Sequence, residues 1–171
     1  MVTNVDTQLL GRDVSFTISE PWLAYWLVIM RLGVGWWFLH AGLDKFLAWP
    51  FDASWFVGGA AASTSLAPFV TLFSEGAGLA VVNVMVPLGQ TLIGLGLIVG
   101  LLTRLAAFWG AFLMLLFYLG NWNVAHGYIN GDFAYMLVFL SVAAFGAGRI
   151  LGLDASIEQY EVGGQPLIER Y

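Results

Sequence analysis

Hydrophobic side chains in this 171-residue chain come in long runs rather than in strict alternation. A helix needs roughly 20 mostly apolar residues to cross the ~30 Å hydrocarbon layer of a bilayer. Four stretches meet or approach that length: 21–43, 76–102, 104–122 and 131–150. The first opens on Pro21 after Ser19 and Glu20, a pattern of N-cap, dipole-matched acid and first-turn proline. Arg31 and His40 interrupt it. The second holds no charged residue, and Pro87 near its middle predicts a kink. The last two have shorter apolar centres, 105–120 and 133–148, which flanks such as Asn121-Trp122-Asn123 and Tyr128 extend into the interface. Only Thr103 and Arg104 separate the second run from the apolar centre of the third, which predicts an antiparallel hairpin.

The pattern predicts an all-α integral membrane four-helix bundle. A polar segment, 1–20, precedes it, and an amphipathic tail, 151–171, carrying Asp154, Glu158, Glu161, Glu169 and Arg170, follows. The first twenty residues lack the basic start and apolar centre of a cleaved signal, so the first span is expected to stay in the mature protein. The stretch 44–75 contains Trp49-Pro50-Phe51, Trp55-Phe56 and Gly58-Gly59. Its aromatic part belongs at the headgroup level or over the mouth of the bundle.

Composition supports the membrane reading. The chain is 60% hydrophobic and 10% charged, more apolar side chain than the surface of a soluble domain this size can cover. A net charge of −5 excludes a nucleic-acid partner, which requires a basic face. The absence of Cys excludes disulfides, thiolate catalysis and Cys-ligated metals. His40 and His126 do not form a metal-binding spacing, so no metal is expected. Arg12, Arg104, Arg149 and Arg170 fall on the side of the termini and Lys45 on the other. The positive-inside rule therefore places both termini in the cytoplasm, and a multi-pass protein of the plasma membrane is expected.

Arg31 is the sharpest chemical feature. Counted from Trp22, it lies ~13 Å into the membrane at ~1.5 Å per residue, where a charge must pair, hydrate or snorkel. It shares a helical stripe with Gly35, Phe38, Gly42 and Lys45, and the glycines allow a neighbouring helix to come close. Gln90 and Ser141 are its polar candidates at compatible depth; backbone carbonyls near Pro87 and the headgroups are the alternatives. The functional reading is a cationic floor for an anion or a polar ligand head.

His40 and Asp44 form an i, i+4 pair on the opposite face. The pair can orient an imidazole for proton transfer or serve as an ordinary helix-end bond. Asn83, Tyr118 and Tyr135 sit at similar depth, with Glu75, His126 and Asp132 at the rim. Together with Arg31, Lys45 and Gln90, these residues form a candidate polar ligand or quinone site, or else an interfacial belt. Gly96 and Gly100 make a small-xxx-small pair suited to helix packing or to a partner subunit.

Several blocks of the sequence resemble the DoxX/DoxD-like membrane protein family. They are Arg31-x-Gly33-x-Gly35 with Gly42-x-x-Lys45, Gly94-x-Gly96-x-x-x-Gly100-Leu101-x-Thr103-Arg104, and Gly146-x-Gly148-Arg149-x-x-Gly152-x-Asp154. The resemblance implies a four-helix membrane protein similar to the small membrane subunit of thiosulfate:quinone oxidoreductase. It also implies recurring basic positions at Arg31, Lys45, Arg104 and Arg149. Three functions follow as expectations. The first is a quinone-linked subunit of a membrane oxidoreductase, with quinone as its possible cofactor. The second is a non-catalytic assembly subunit of a larger membrane complex. The third, weaker because no inverted repeat is visible, is a small-solute transporter.

Overall fold

The computed structural model describes residues 2–122, 129–157, 161–162 and 165–166. The polar N-terminal segment is a β-hairpin, β1 (Val2–Leu9) paired antiparallel with β2 (Arg12–Ser19). Leu10 and Gly11 make its turn, both at positive φ. Without a linker the chain enters α1 (Glu20–Leu47), 28 residues long and so about 42 Å. Pro21 stands in its first turn; Ser19 is extended there but makes no side-chain cap bond. The helix runs four residues beyond the expected end at 43, so Asp44 and Lys45 lie in its last turns.

A sequence of short helical turns fills the connection after α1. A π-helical turn, Trp55–Ala60, leads to a 3-10 turn, Ala61–Ser63, then α2 (Ala67–Val70) and a second 3-10 turn, Thr71–Phe73. The connection packs over the bundle mouth: Phe56 fits against Gly120, and its ring meets Phe117 edge-on at 5.4 Å. Asn83 accepts the Ala53 N–H at 2.8 Å and bonds to the Asp52 carboxylate. The Ser54 backbone N–H, and then its hydroxyl, hold the Asp52 carboxyl below the ordinary carboxylate range.

The remaining helices are α3 (Gly76–Val99), α4 (Thr103–Gly120), α5 (Gly131–Ala144) and the single turn α6 (Asp154–Ile157). A short pair, β3 (Glu161–Val162) and β4 (Gln165–Pro166), follows. Three helices, α1, α3 and α4, are long and apolar enough to cross a membrane, and α5 is a shorter apolar helix. α3 is continuous through Pro87 but stops at Val99, short of 102, because Gly100 turns left-handed and Leu101 N–H returns to the Gly96 carbonyl. α5 stops at Ala144, short of 150. Gly146 is left-handed, and a 3-10 turn, Ala147–Arg149, replaces the last helical turn.

The four long helices form a bundle in which α1 packs chiefly on α3 and α4 on α5. Glycines set the spacing between them. At Gly42 a Cβ would lie 2.7 Å from Thr91 N and 2.8 Å from the Pro87 carbonyl; one at Gly94 would lie 2.7 Å from the Gly35 carbonyl. Gly110 is the socket for the Phe139 ring, and Phe139 meets Phe38 edge-on at 4.7 Å. Leu97, Ala107, Met114 and Val142 complete a dry centre.

Candidate functional site

Arg31 is buried to 1% exposure, at a junction built from three parts of the chain. After Gly146 breaks α5, the carbonyls of Ala147, Ile150 and Leu151 converge on the guanidinium. They accept from Nη1 at 2.8 and 3.0 Å and from Nη2 at 3.1 Å, respectively. The same strap is pinned to the α3–α4 turn. Leu153 N–H donates to the Val99 carbonyl at 3.3 Å, and Asp154 N–H to the Gly100 carbonyl at 2.8 Å. The Asp154 carboxylate then accepts Leu102 N–H at 2.7 Å and Thr103 N–H at 3.0 Å, capping the N-terminus of α4 with a negative charge.

Small residues make this closure possible. A Cβ on Gly152 would lie 2.8 Å from Arg31 Nη1 and 3.0 Å from Gly100 Cα, and one on Gly148 would overlap the Asp154 carboxylate and the Thr103 hydroxyl. Gly100 therefore ends a helix and admits the strap rather than forming a helix-packing pair with Gly96. Gly96 faces the turn and Ala106. Three buried polar atoms lack partners among the described residues: Arg31 Nε, Thr103 Oγ1 and Gln90 Oε1.

The junction changes one sequence expectation about Arg31. Its partners are strap carbonyls, not Gln90 or Ser141; the Ser141 hydroxyl donates to the Leu137 carbonyl at 2.8 Å. Arg31 lies beside Gly100, at the level of the α3–α4 turn, and eleven residues of α1 (20–30) extend past that turn. Arg104 packs over Gly146, and Arg149 is exposed at the end of the 3-10 turn.

The expected outer polar layer separates into independent groups. His40 Nδ1 and Asp44 Oδ2 are 2.8 Å apart, with the side chains 60% and 58% exposed on the outer face of α1. The Trp36 ring lies 6.4 Å from the imidazole. Lys45 turns the other way, donating to the Ala41 carbonyl at 3.0 Å with its ammonium over the Phe51 ring. Asn83 is committed to the 48–75 connection. Tyr135 stacks on Trp37 at 4.2 Å, and Tyr118 lies beside Trp122 and Phe133. Asp132 accepts from the Asn121 amide at 2.9 Å, and Glu75 is exposed before α3. His126 lies outside the described residues, and no trio of metal-ligating side chains occurs among those described.

The structure therefore brings His40 to Asp44 and joins Arg31 to the strap, and it disperses the rest. Gly35 and Gly42 lie in the α1–α3 contact. An apolar groove of ≈ 490 Å³ opens between α3 and α4, lined by residues including Leu92, Leu95, Val99, Leu102 and Leu105, with Gly96 among them. Sequence reading missed the role of Asp154, placing it in a solvated tail. The signal was present in its fixed distance from three glycines of one block.

The DoxX family profile matches residues 26–127, which takes in α1, α3 and α4 and stops short of the strap. No curated protein and no solved structure matches the chain. The helical architecture and the family match agree, and the chain belongs to the DoxX family of membrane proteins.

Proposed function

We propose that this DoxX-family protein is a quinone-linked subunit of an oxidoreductase complex in the plasma membrane, with both termini cytoplasmic. The observation that carries the reading is the His40–Asp44 pair, open on the lipid-facing side of α1. An ionisable pair facing lipid is costly and marks a functional position by default. With Nδ1–H given to Asp44, the imidazole keeps Nε2 for a ligand arriving from the bilayer. Protonated, Nε2 donates to a quinone carbonyl; neutral, it accepts from a quinol hydroxyl. Reduction of a quinone to quinol takes two electrons and two protons. Here the two electrons come from a redox group on a partner subunit and the two protons from water, one of them by way of His40. The family resemblance suggests thiosulfate as the ultimate donor. Arg31 has no part in ligand binding on this reading, since it is buried at the strap, whose carbonyls accept three of its four Nη hydrogens.

A second reading, a non-catalytic assembly subunit, is favoured by the α3–α4 groove, which offers a glycine-containing apolar seat for a helix of a larger membrane partner. Gentle-detergent purification followed by mass spectrometry of copurifying subunits and extracted lipids separates the two. The quinone reading expects stoichiometric quinone that falls about tenfold in His40→Ala, the loss of one good hydrogen bond to the head group. Quinone retained at the wild-type level in that variant defeats the reading. A large partner without quinone supports assembly instead.

A further inference from the structure

The outward face of α1 holds more than the His40–Asp44 pair. Gly33, Trp36, Trp37, His40 and Asp44 fall within about 60° of one line along the helix, and all five are exposed. Trp36, His40 and Asp44 follow at four-residue steps, so the imidazole stands between an indole and a carboxylate. The two rings are 6.4 Å apart and tilted by 54°. Nδ1 faces Asp44, one turn further along, which directs Nε2 outward on the Trp36 side. Before Trp36 the helix surface is bare. No described atom lies within 4 Å of a Cβ built on Gly33, whereas Gly35 and Gly42 serve the contact with α3. A helical glycine costs about 1 kcal/mol against alanine, and at Gly33 no packing offsets it. Side chains lean toward the N-terminus of their helix, so Trp36 and Trp37 lean over the turn of Gly33 without closing on it. Trp37 is held there by its stack on Tyr135 at 4.2 Å. The result is a notch with a glycine floor and indole walls.

The length of α1 fixes the depth of the notch. The hydrocarbon layer takes roughly 20 of its 28 residues, from 20–39 at one extreme to 28–47 at the other. Residues 28–39 are inside in every case, so Gly33 and Trp36 lie in hydrocarbon. His40 is the first residue past that stretch, about 10 Å from Gly33 along the axis at ~1.5 Å per residue. A ligand that uses both has a hydrogen-bonding head at His40 and an apolar chain running toward the middle of the bilayer. The pair is neutral with the imidazole protonated and −1 without, which gives an anionic phosphate headgroup no attraction and suits an uncharged head. A second helix does not fit the notch. Close helix contact needs small residues at four-residue spacing, and the positions four before and four after Gly33 are Ile29 and Trp37.

We propose that Gly33 and Trp36 complete the quinone site. The head ring bonds to His40 Nε2 and lies along the Trp36 indole, and the prenyl chain leaves over Gly33. The proposal rests on the quinone reading and adds to it the residues that select for ring and chain. Because the chain arrives from lipid rather than from water, its seat gains only close contact, so the shape at residue 33 decides the preference.

The test photolabels the full-length chain in native membranes with an azidobenzoquinone that carries a decyl chain and with the same ring lacking it. Labelled α1 peptides are counted by mass spectrometry, and the yield removed by excess unlabelled quinone is the specific signal. Gly33→Leu is expected to lower labelling by the decyl form about tenfold, the size of one overpacked contact, and to leave the chainless form within about twofold. Trp36→Leu lowers both forms about fivefold, the loss of one ring–ring contact. Gly33→Ala lowers the decyl form partway, which with an unchanged melting temperature guards against misfolding of the leucine variant. His40→Ala lowers both forms. Decyl labelling unchanged in Gly33→Leu, equal loss of both forms there, or undiminished ring labelling in Trp36→Leu overturns the proposal, while the losses in His40→Ala leave the quinone reading standing. Undiminished labelling in His40→Ala defeats that reading and the proposal with it. A copurifying phospholipid or a dimer that Gly33→Leu removes, with decyl labelling unchanged, assigns the notch to that occupant and likewise overturns the proposal.

Discussion

At the residue scale, what separates one glycine from another is the space around it. Gly33 and Gly42 lie nine residues apart on the same helix, yet no atom lies within 4 Å of a Cβ built on Gly33. At Gly42 a Cβ meets backbone atoms of α3, which cannot yield without moving the helix. Gly42→Ala is expected to destabilise the bundle by about 1–3 kcal/mol through overpacking. Gly33→Ala should stay within about 1 kcal/mol of the parent, since helix propensity is the main change there. Thermal unfolding in detergent micelles measures both, and equal effects at the two positions would contradict the close α1–α3 approach. The stripe of Arg31, Gly35, Phe38 and Gly42 was readable from helical periodicity. Which glycines meet another backbone was not, because that depends on how far one helix slides along its neighbour.

At the element scale, the strap from Gly146 to Asp154 acts as a single unit that closes one end of the bundle. Arg31→Met leaves the Ala147, Ile150 and Leu151 carbonyls without their buried donor, at a cost of about 2–4 kcal/mol. Asp154→Ala removes the cap of α4, at a cost of about 1 kcal/mol. Because both changes release the same segment, the double variant should cost less than the sum. Amide exchange at Leu102 and Thr103, read beside the melting temperature, follows the release directly; strict additivity would show two independent contacts. Hydropathy carried the fourth apolar run on to 150, and the backbone broke at Gly146 instead. The run Phe145-Gly146-Ala147-Gly148 is apolar enough to span, but left-handed backbone at Gly146 ends the helix. Apolar character alone does not register that stop.

At the scale of the whole molecule, the hairpin, the α3–α4 turn and the strap share one end, and the 48–75 connection covers the other. The distribution of arginines predicts that the first end is cytoplasmic. The chain contains no Cys, so single cysteines report topology without background. Leu10→Cys at the exposed hairpin tip should react with a membrane-impermeant maleimide in inverted vesicles and not in intact cells. Ser63→Cys in the opposite connection should do the reverse. The opposite pattern would invert the orientation.

The run lengths of apolar residues by themselves determined that this chain is a helical membrane bundle, because the bilayer admits few other solutions for such segments. Spacing also determined the short α3–α4 turn and the pairing of His40 with Asp44, both of which are local along the chain. Other features depended on contacts between residues more than fifty positions apart. Arg31 serves the strap, and Asp154 caps a helix fifty-one residues before it. The polar residues of the outer layer point to separate neighbours. Tertiary structure decided these because the axial offset of α1 against α3, set by where glycines let backbones meet, fixes which side chains share a level. That offset is a property of packed surfaces, and no single segment contains it.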